Sequence, residues 1–143
     1  MAALQRGRRL GKRAHRGLLI GPAGNGFGEY NRGMVQSEVI QEAVRRIAKH
    51  FEPEKVYLIG SAARGESRQG SDLDFLVVVP DDTPRQKWQG GEIHLKLYGI
   101  GAPVDVIPLK RSTFEARSDW VMSLPAIALR EGLLLYDGNA AAR

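Results

Sequence analysis

Lys55-Val56-Tyr57-Leu58-Ile59-Gly60-Ser61-Ala62-Ala63-Arg64-Gly65, continued six residues later by Asp72-Leu73-Asp74-Phe75-Leu76-Val77-Val78-Val79, is the stretch on which the fold turns. Lys55 to Ile59 is β-branched and aromatic and reads as a short strand, ended by Gly60-Ser61. Ala62 to Gly65 then reads as one helical turn. Asp72 to Val79 is almost continuously apolar after its acids and is closed by Pro80. That is the composition of a strand covered on both faces, and so of a central strand.

Working outward, Val35, Val39, Ile40, Ala43, Val44, Ile47, Ala48 and Phe51 recur at helical spacing. They predict an amphipathic helix, with Ser37 as its N-cap and Pro53 as its stop. After the central strand, Ile93, Leu97 and Ile100 share one helical face, so Thr83 to Tyr98 is expected as helix despite Gly90-Gly91, each costing about 1 kcal/mol against alanine. Pro103 to Pro108 alternates as a strand flanked by prolines, which suit strand ends or an edge. Ser112 to Arg130 is expected as helix broken near Pro125, followed by a last short strand, Leu133 to Tyr136. Strands interleaved with helices make the class α/β, with a small mixed sheet and flanking helices.

The chain has 143 residues, a formal net charge of +5, 43% hydrophobic residues and no cysteine. That size suits one domain able to bury its own core, and no apolar run approaches the roughly 18 residues that span a bilayer. Without cysteine there is no disulfide scaffold, thiolate zinc site or cysteine nucleophile, and a cytoplasmic location is the default expectation. His15, His50 and His94 match no zinc-protease or zinc-finger spacing, so any metal must be held by carboxylates.

The charge is unevenly spread. Residues 1–33 hold Arg6, Arg8, Arg9, Lys12, Arg13, Arg16 and Arg32 against Glu29, a net +6, which leaves −1 for the remainder. The chain therefore divides into a basic Gly/Arg-rich extension, 1–33, expected to be flexible, and a domain over 34–143. A phosphate-binding arm, a targeting segment and an alternative start at Met34 are the other readings of that extension. Its glycines from Gly21 to Gly28 lack the ending of a P-loop and the spacing of the dinucleotide fingerprint. Nucleic-acid binding through it has only Phe27 and Tyr30 as aromatic platforms near the charge.

The acids carry the chemistry. Asp72 and Asp74, two apart on a strand, project to the same face roughly 7 Å apart and can grip one cation. Asp105 stands between Val104 and Val106, where an apolar residue is normal and aspartate is a poor strand former. Two such charges about 4 Å apart repel by roughly 4 kcal/mol at an effective dielectric of 20, so clustered carboxylates need a compensating cation. Oxygen donors suit Mg²⁺ or Mn²⁺, which also bind phosphates. Gly60-Ser61, opening a helical turn, supplies backbone N–H groups and a hydroxyl for such a phosphate, and Arg64 adds fixed charge. Taken singly, each of these is an ordinary turn or a solvated strand start; taken together they point to phosphoryl or nucleotidyl chemistry.

Gly60-Ser61, ten residues, Asp72-Leu73-Asp74 and a later Asp105 match the G-S-x10-D-x-D signature of the nucleotidyltransferase fold. Gly60 through Asp72 closely resembles the minimal nucleotidyltransferases of the DNA polymerase beta superfamily, and the likeness extends over about Val35 to Asp137, including Arg130-Glu131-Gly132-Leu133-Leu134-Leu135-Tyr136. The resemblance implies that Asp72 and Asp74 bind a pair of Mg²⁺ ions, with Mn²⁺ as the alternative, and that Asp105 binds one of them and helps activate the acceptor hydroxyl. It implies that Gly60 and Ser61 hold the triphosphate of ATP or another nucleoside triphosphate, with Arg64 and Ser71 as secondary phosphate contacts; Arg64 has a second reading as a loop ion pair with Glu66, and Ser71 as a turn cap. Minimal members are commonly antitoxins that adenylylate a tyrosine of a helical HEPN-domain toxin, so a HEPN-type partner is expected. The alternatives are a non-catalytic module that neutralises its partner by contact and a nucleotidyltransferase acting on a small molecule. The presence of all three aspartates favours the enzyme.

Overall fold

A computed structural model describes residues 30–66 and 71–141. The basic extension and its Gly21 to Gly28 cluster lie outside the described residues up to position 29. Helix α1 (Tyr30–Phe51) leads into β1 (Lys55–Ile59), and the connection that carries Gly60 to Asp72 into β2 (Leu73–Val79). Two short helices, α2 (Arg85–Gln89) and α3 (Glu92–Lys96), precede β3 (Val104–Lys110). Helices α4 (Arg111–Arg117) and α5 (Leu124–Glu131), strand β4 (Leu133–Asp137) and the short α6 (Gly138–Ala141) complete the chain.

The four strands form one mixed sheet in the order β3-β2-β1-β4. β1 runs antiparallel to both β2 and β4, whereas β2 and β3 are parallel. Alternation along β2 sorts its side chains between two layers. Leu73, Phe75, Val77 and Val79 face Ala43, Val44, Ile47 and Phe51 of α1, with Ile93 and Leu97 from the α3 region. Leu76 and Val78 face the other way, toward Phe114 of α4 and Ala128 of α5, with Tyr57 and Ile59 of β1. The Tyr57 and Phe114 rings stack there, 5.6 Å apart. β2 is therefore buried on both faces, as its composition requires.

Several boundaries differ from the sequence expectations, each for a physical reason. α1 starts at Tyr30, upstream of Ser37, because a single Gly33 costs only about 1 kcal/mol and does not end a long helix. Ser37 is thus inside the helix, where its Oγ accepts from Gln41 Nε2 at 3.3 Å, and is not the N-cap. The helix stops at Phe51, with Glu52 in the left-handed region (φ 49°) just before Pro53. The helix expected over Thr83 to Tyr98 is two, divided at Gly90-Gly91, where backbone entropy outweighs the shared apolar face. β3 continues through Pro108 to Lys110, which an edge strand tolerates because one side of its backbone needs no partner. The break between α4 and α5 falls at Ser118 to Ser123, ahead of Pro125. Ser123 caps α5, its Oγ accepting from Ala126 N at 3.2 Å, and Pro125 occupies the first turn, where its missing N–H is not needed.

Candidate active site

β1 ends at Ile59 opposite Asp74, and Gly60 then takes φ +78°, a conformation that side chains resist. A Cβ on Gly60 would stand 2.8 Å from Asp74 Oδ2, so glycine here lets backbone lie directly against a carboxylate. The chain next makes one helical turn: Arg64 N donates to Gly60 O at 3.3 Å and Ala63 N to the same oxygen at 3.1 Å. It closes with the paired bonds of a Schellman cap, Glu66 N to Ser61 O at 2.9 Å and Gly65 N to Ala62 O at 3.3 Å, around Gly65 at φ +73°. The expected helical turn after Gly60-Ser61 is thus present and ends at a glycine in the left-handed region. Ser67 to Gly70 lie outside the described residues, and Ser71 and Asp72 immediately precede β2.

The decisive placement is a register. In the parallel ladder of β2 and β3, Asp74 pairs with Asp105, and Leu73 N donates to Pro103 O at 2.9 Å just before it. Adjacent strands lie about 4.8 Å apart, so neighbouring Cβ atoms on one face are close. Asp74 shares its face with Leu76 and Val78, and Asp105 shares its face with Ile107 and Leu109, all in the layer covered by α4 and α5. Asp74 is half-buried, while Asp72 and Asp105 are exposed. Burial first, then the charge of Asp105, then that of Asp72, push the Asp74 carboxyl above its ordinary range. The charges of Asp105 and Asp72 thus both reach Asp74.

They do not converge into a ready ligand set: among the described residues no three His, Cys, Asp or Glu side chains close on a common point as they would around a metal ion. Their donor chemistry nevertheless fits a hard divalent cation. All three offer carboxylate oxygens, and the repulsion borne by Asp74 is what a cation between them relieves. No histidine competes for this role among the described residues. His50 is buried far from the acids, between Lys87 O (2.8 Å from Nε2) and Lys96 Nζ (3.0 Å from Nδ1).

Arg64 brings the positive charge of the site, and it is paired. Its Nε donates to Glu66 Oε1 at 2.9 Å and its Nη1 reaches Glu131 Oε1 at 3.5 Å. The hydrogen bond to Glu66 leads in raising its pKa further, so it is a permanent cation. The ion pair with Glu66 is one of the two readings the sequence offered. Glu131 is the residue that sequence reasoning did not connect to this place, because it stands 67 positions from Arg64 at the end of α5 and the two are brought together by the packing of α5 against β1 and the β1–β4 pairing.

Residues 38–127 match the family model described as the nucleotidyltransferase domain, a span that includes Gly60, Ser61, Arg64, Ser71, Asp72, Asp74 and Asp105. The chain belongs to the nucleotidyltransferase domain family. Membership supports nucleotidyl transfer in general and implies a nucleoside triphosphate as substrate. The chain is also similar to the crystal structure of a candidate nucleotidyltransferase from Sulfolobus solfataricus, with 21% identity, a TM-score of 0.45, and coverage of 80% of this chain and 92% of that one. No curated protein matches it. No helix among the described residues of this nucleotidyltransferase domain is long and apolar enough to cross a membrane.

Proposed function

We propose that this domain transfers AMP from ATP to a hydroxyl, with a tyrosine of a HEPN-type helical partner as acceptor, acting as the cytoplasmic antitoxin of a toxin–antitoxin pair. The observation that supports the transfer chemistry is the register that sets Asp74 beside Asp105, with Gly60 bare against Asp74. The acceptor and partner rest on the likeness of Gly60 to Asp74 to the minimal nucleotidyltransferases.

Each residue has a task. Asp72, Asp74 and Asp105 hold the cations, Mg²⁺ or Mn²⁺, and Asp105, the exposed acid on the edge strand, also takes the proton of the acceptor hydroxyl. The backbone N–H groups at Gly60 and Ser61, with the Ser61 hydroxyl, hold the triphosphate at the start of the turn. Arg64 and Ser71 contact phosphate oxygens. When bound, two Mg²⁺ ions supply positive charge to the α-phosphate and to the departing pyrophosphate. The bond from the acceptor oxygen to the α-phosphorus forms as the bond from that phosphorus to the bridging oxygen breaks, and pyrophosphate leaves. Alignment of acceptor and phosphorus by a rigid sheet end contributes much of the rate.

The test is incubation of the protein with its HEPN-type partner, Mg²⁺ and α-labelled ATP, followed by mass spectrometry of both chains. The expected result is AMP on a partner tyrosine, absent with Asp74→Asn. A stable complex without label would replace the enzyme with a contact-only neutraliser, and label found only on a small acceptor would replace the protein substrate.

A further inference from the structure

Arg64 and Glu131 belong to different parts of the chain yet are rooted in the same strand. Arg64 sits on the turn that leaves β1 at Gly60, held against Gly60 O by its own backbone N–H. Glu131 ends α5, and two residues later Leu133 pairs with Leu58 of β1. The corner between them is tight: a Cβ on Gly132 would meet Ala128 O at 2.6 Å and Ala128 Cα at 3.0 Å. Gly132 N in turn donates to Ala128 O at 2.9 Å. The ion pair therefore closes a ring that runs from β1 through the turn to Arg64, across to Glu131, and back through Gly132 and β4 to β1.

From this ring we infer that Glu131 is a positioning residue for nucleotide binding, aiming the Arg64 guanidinium at the triphosphate; the inference rests on the nucleotide-binding role proposed for the Gly60 turn. Glu66 and Glu131 engage Nε and Nη1, and a guanidinium has five N–H donors, so the remaining donors stay available to an anion. Glu66 lies two residues from Arg64 on the same turn, so its pairing with Arg64 is local and does not span from the turn to another element. Glu131 ends a helix and, two residues on, the chain enters the β1–β4 ladder, so its carboxylate ties the Arg64 guanidinium to the sheet that carries Asp74. A long side chain held at one end by such a contact loses less freedom when phosphate arrives.

Electrostatics alone predicts the opposite sign. If Glu131 only competed with phosphate for Arg64, its removal would tighten nucleotide binding. If it positions Arg64, removal weakens binding even though a negative charge has gone. The experiment measures KM and kcat for ATP with Mg²⁺, and the affinity of a non-hydrolysable ATP analogue, in the full chain and in Glu131→Ala, Glu131→Gln, Arg64→Ala and the double variant Arg64→Ala/Glu131→Ala. We expect Glu131→Ala to raise KM about fivefold with little change in kcat, the scale of one exposed ion pair. Glu131→Gln, whose amide oxygen still accepts, recovers most of the loss, and Glu131→Ser, too short to reach Arg64, serves as the test if the alanine variant fails to fold. The double variant should be no worse than Arg64→Ala. An unchanged or lowered KM in Glu131→Ala or Glu131→Ser, or losses that add in the double variant, overturns the inference and leaves the nucleotide site standing. Absence of any nucleotide binding by the wild-type chain overturns the proposed function and this inference with it.

Discussion

The two ends of β2 carry acids in opposite circumstances. At its start Asp74 is pushed above the ordinary carboxylate range by burial and by two like charges, with Gly60 shaped to admit it. Just past its end Asp81 is held below that range, chiefly because its Oδ1 accepts a hydrogen bond from Ser112 N at 2.9 Å, tying the β2–α2 connection to the first turn of α4. One acid is satisfied and stitches the fold; the other is kept at an electrostatic cost. A carboxylate held unfavourably at the end of an otherwise apolar strand is what the proposed cation-binding role of Asp74 requires.

Four outcomes break or sharpen that contrast. The largest concerns Asp74→Asn, which should lower transfer by about a thousandfold, roughly 4 kcal/mol of transition-state stabilisation, while the circular dichroism spectrum stays folded; retained transfer would remove Asp74 from the site. Next, Gly60→Ala places a methyl group against Asp74 Oδ2 at a positive φ and should cost about 1–3 kcal/mol in stability, read by urea unfolding, together with a loss of transfer.

The third and fourth outcomes have opposite signs. With metal removed by EDTA, Asp74→Asn should melt above the wild type. The raised folded pKa means that the ionised carboxylate penalises the folded state, so the gain should be absent below the ordinary value of 3.8 and grow as pH rises through the raised pKa. Mg²⁺ with nucleotide should narrow the difference, because the cation relieves the same repulsion. Asp81→Asn should do the reverse and melt slightly below the wild type at neutral pH. A lowered folded pKa gives stability that is present above 3.8 and lost as pH falls through the depressed pKa, so this deficit should vanish in acid. Melting curves of both variants between pH 3 and 8, on the scale of about one pH unit per step, check both signs.

Legibility in the sequence followed the range of the interactions. β1 and β2 were readable because a β-branched, aromatic or continuously apolar run is a local signal, and Asp72 and Asp74 stood out against it. The Gly60-Ser61 turn was readable for the same reason, down to its single helical turn. Asp105 was identifiable as an acid in an apolar setting, but its partnership with Asp74 depends on a parallel register between strands separated by α2 and α3, which no spacing encodes. The pairing of Arg64 with Glu131 is further from view, since it needs β4 to return beside β1. Boundaries failed where one residue type carries two meanings. Pro125 suggests a breaker and is a helix starter, Ser37 suggests a cap and is interior, and Gly90-Gly91 suggests a tolerated interruption and divides two helices.

The central claim is that Asp72, Asp74 and Asp105 act as one cation-binding group beside the Gly60 turn. Its most direct test is a titration with Mn²⁺ followed by electron paramagnetic resonance, in the presence of a non-hydrolysable ATP analogue, on the wild type, Asp74→Asn and Asp105→Asn. The account predicts tight nucleotide-dependent Mn²⁺ binding by the wild type, reduced in Asp105→Asn and lost in Asp74→Asn. Equal binding by all three chains would contradict it.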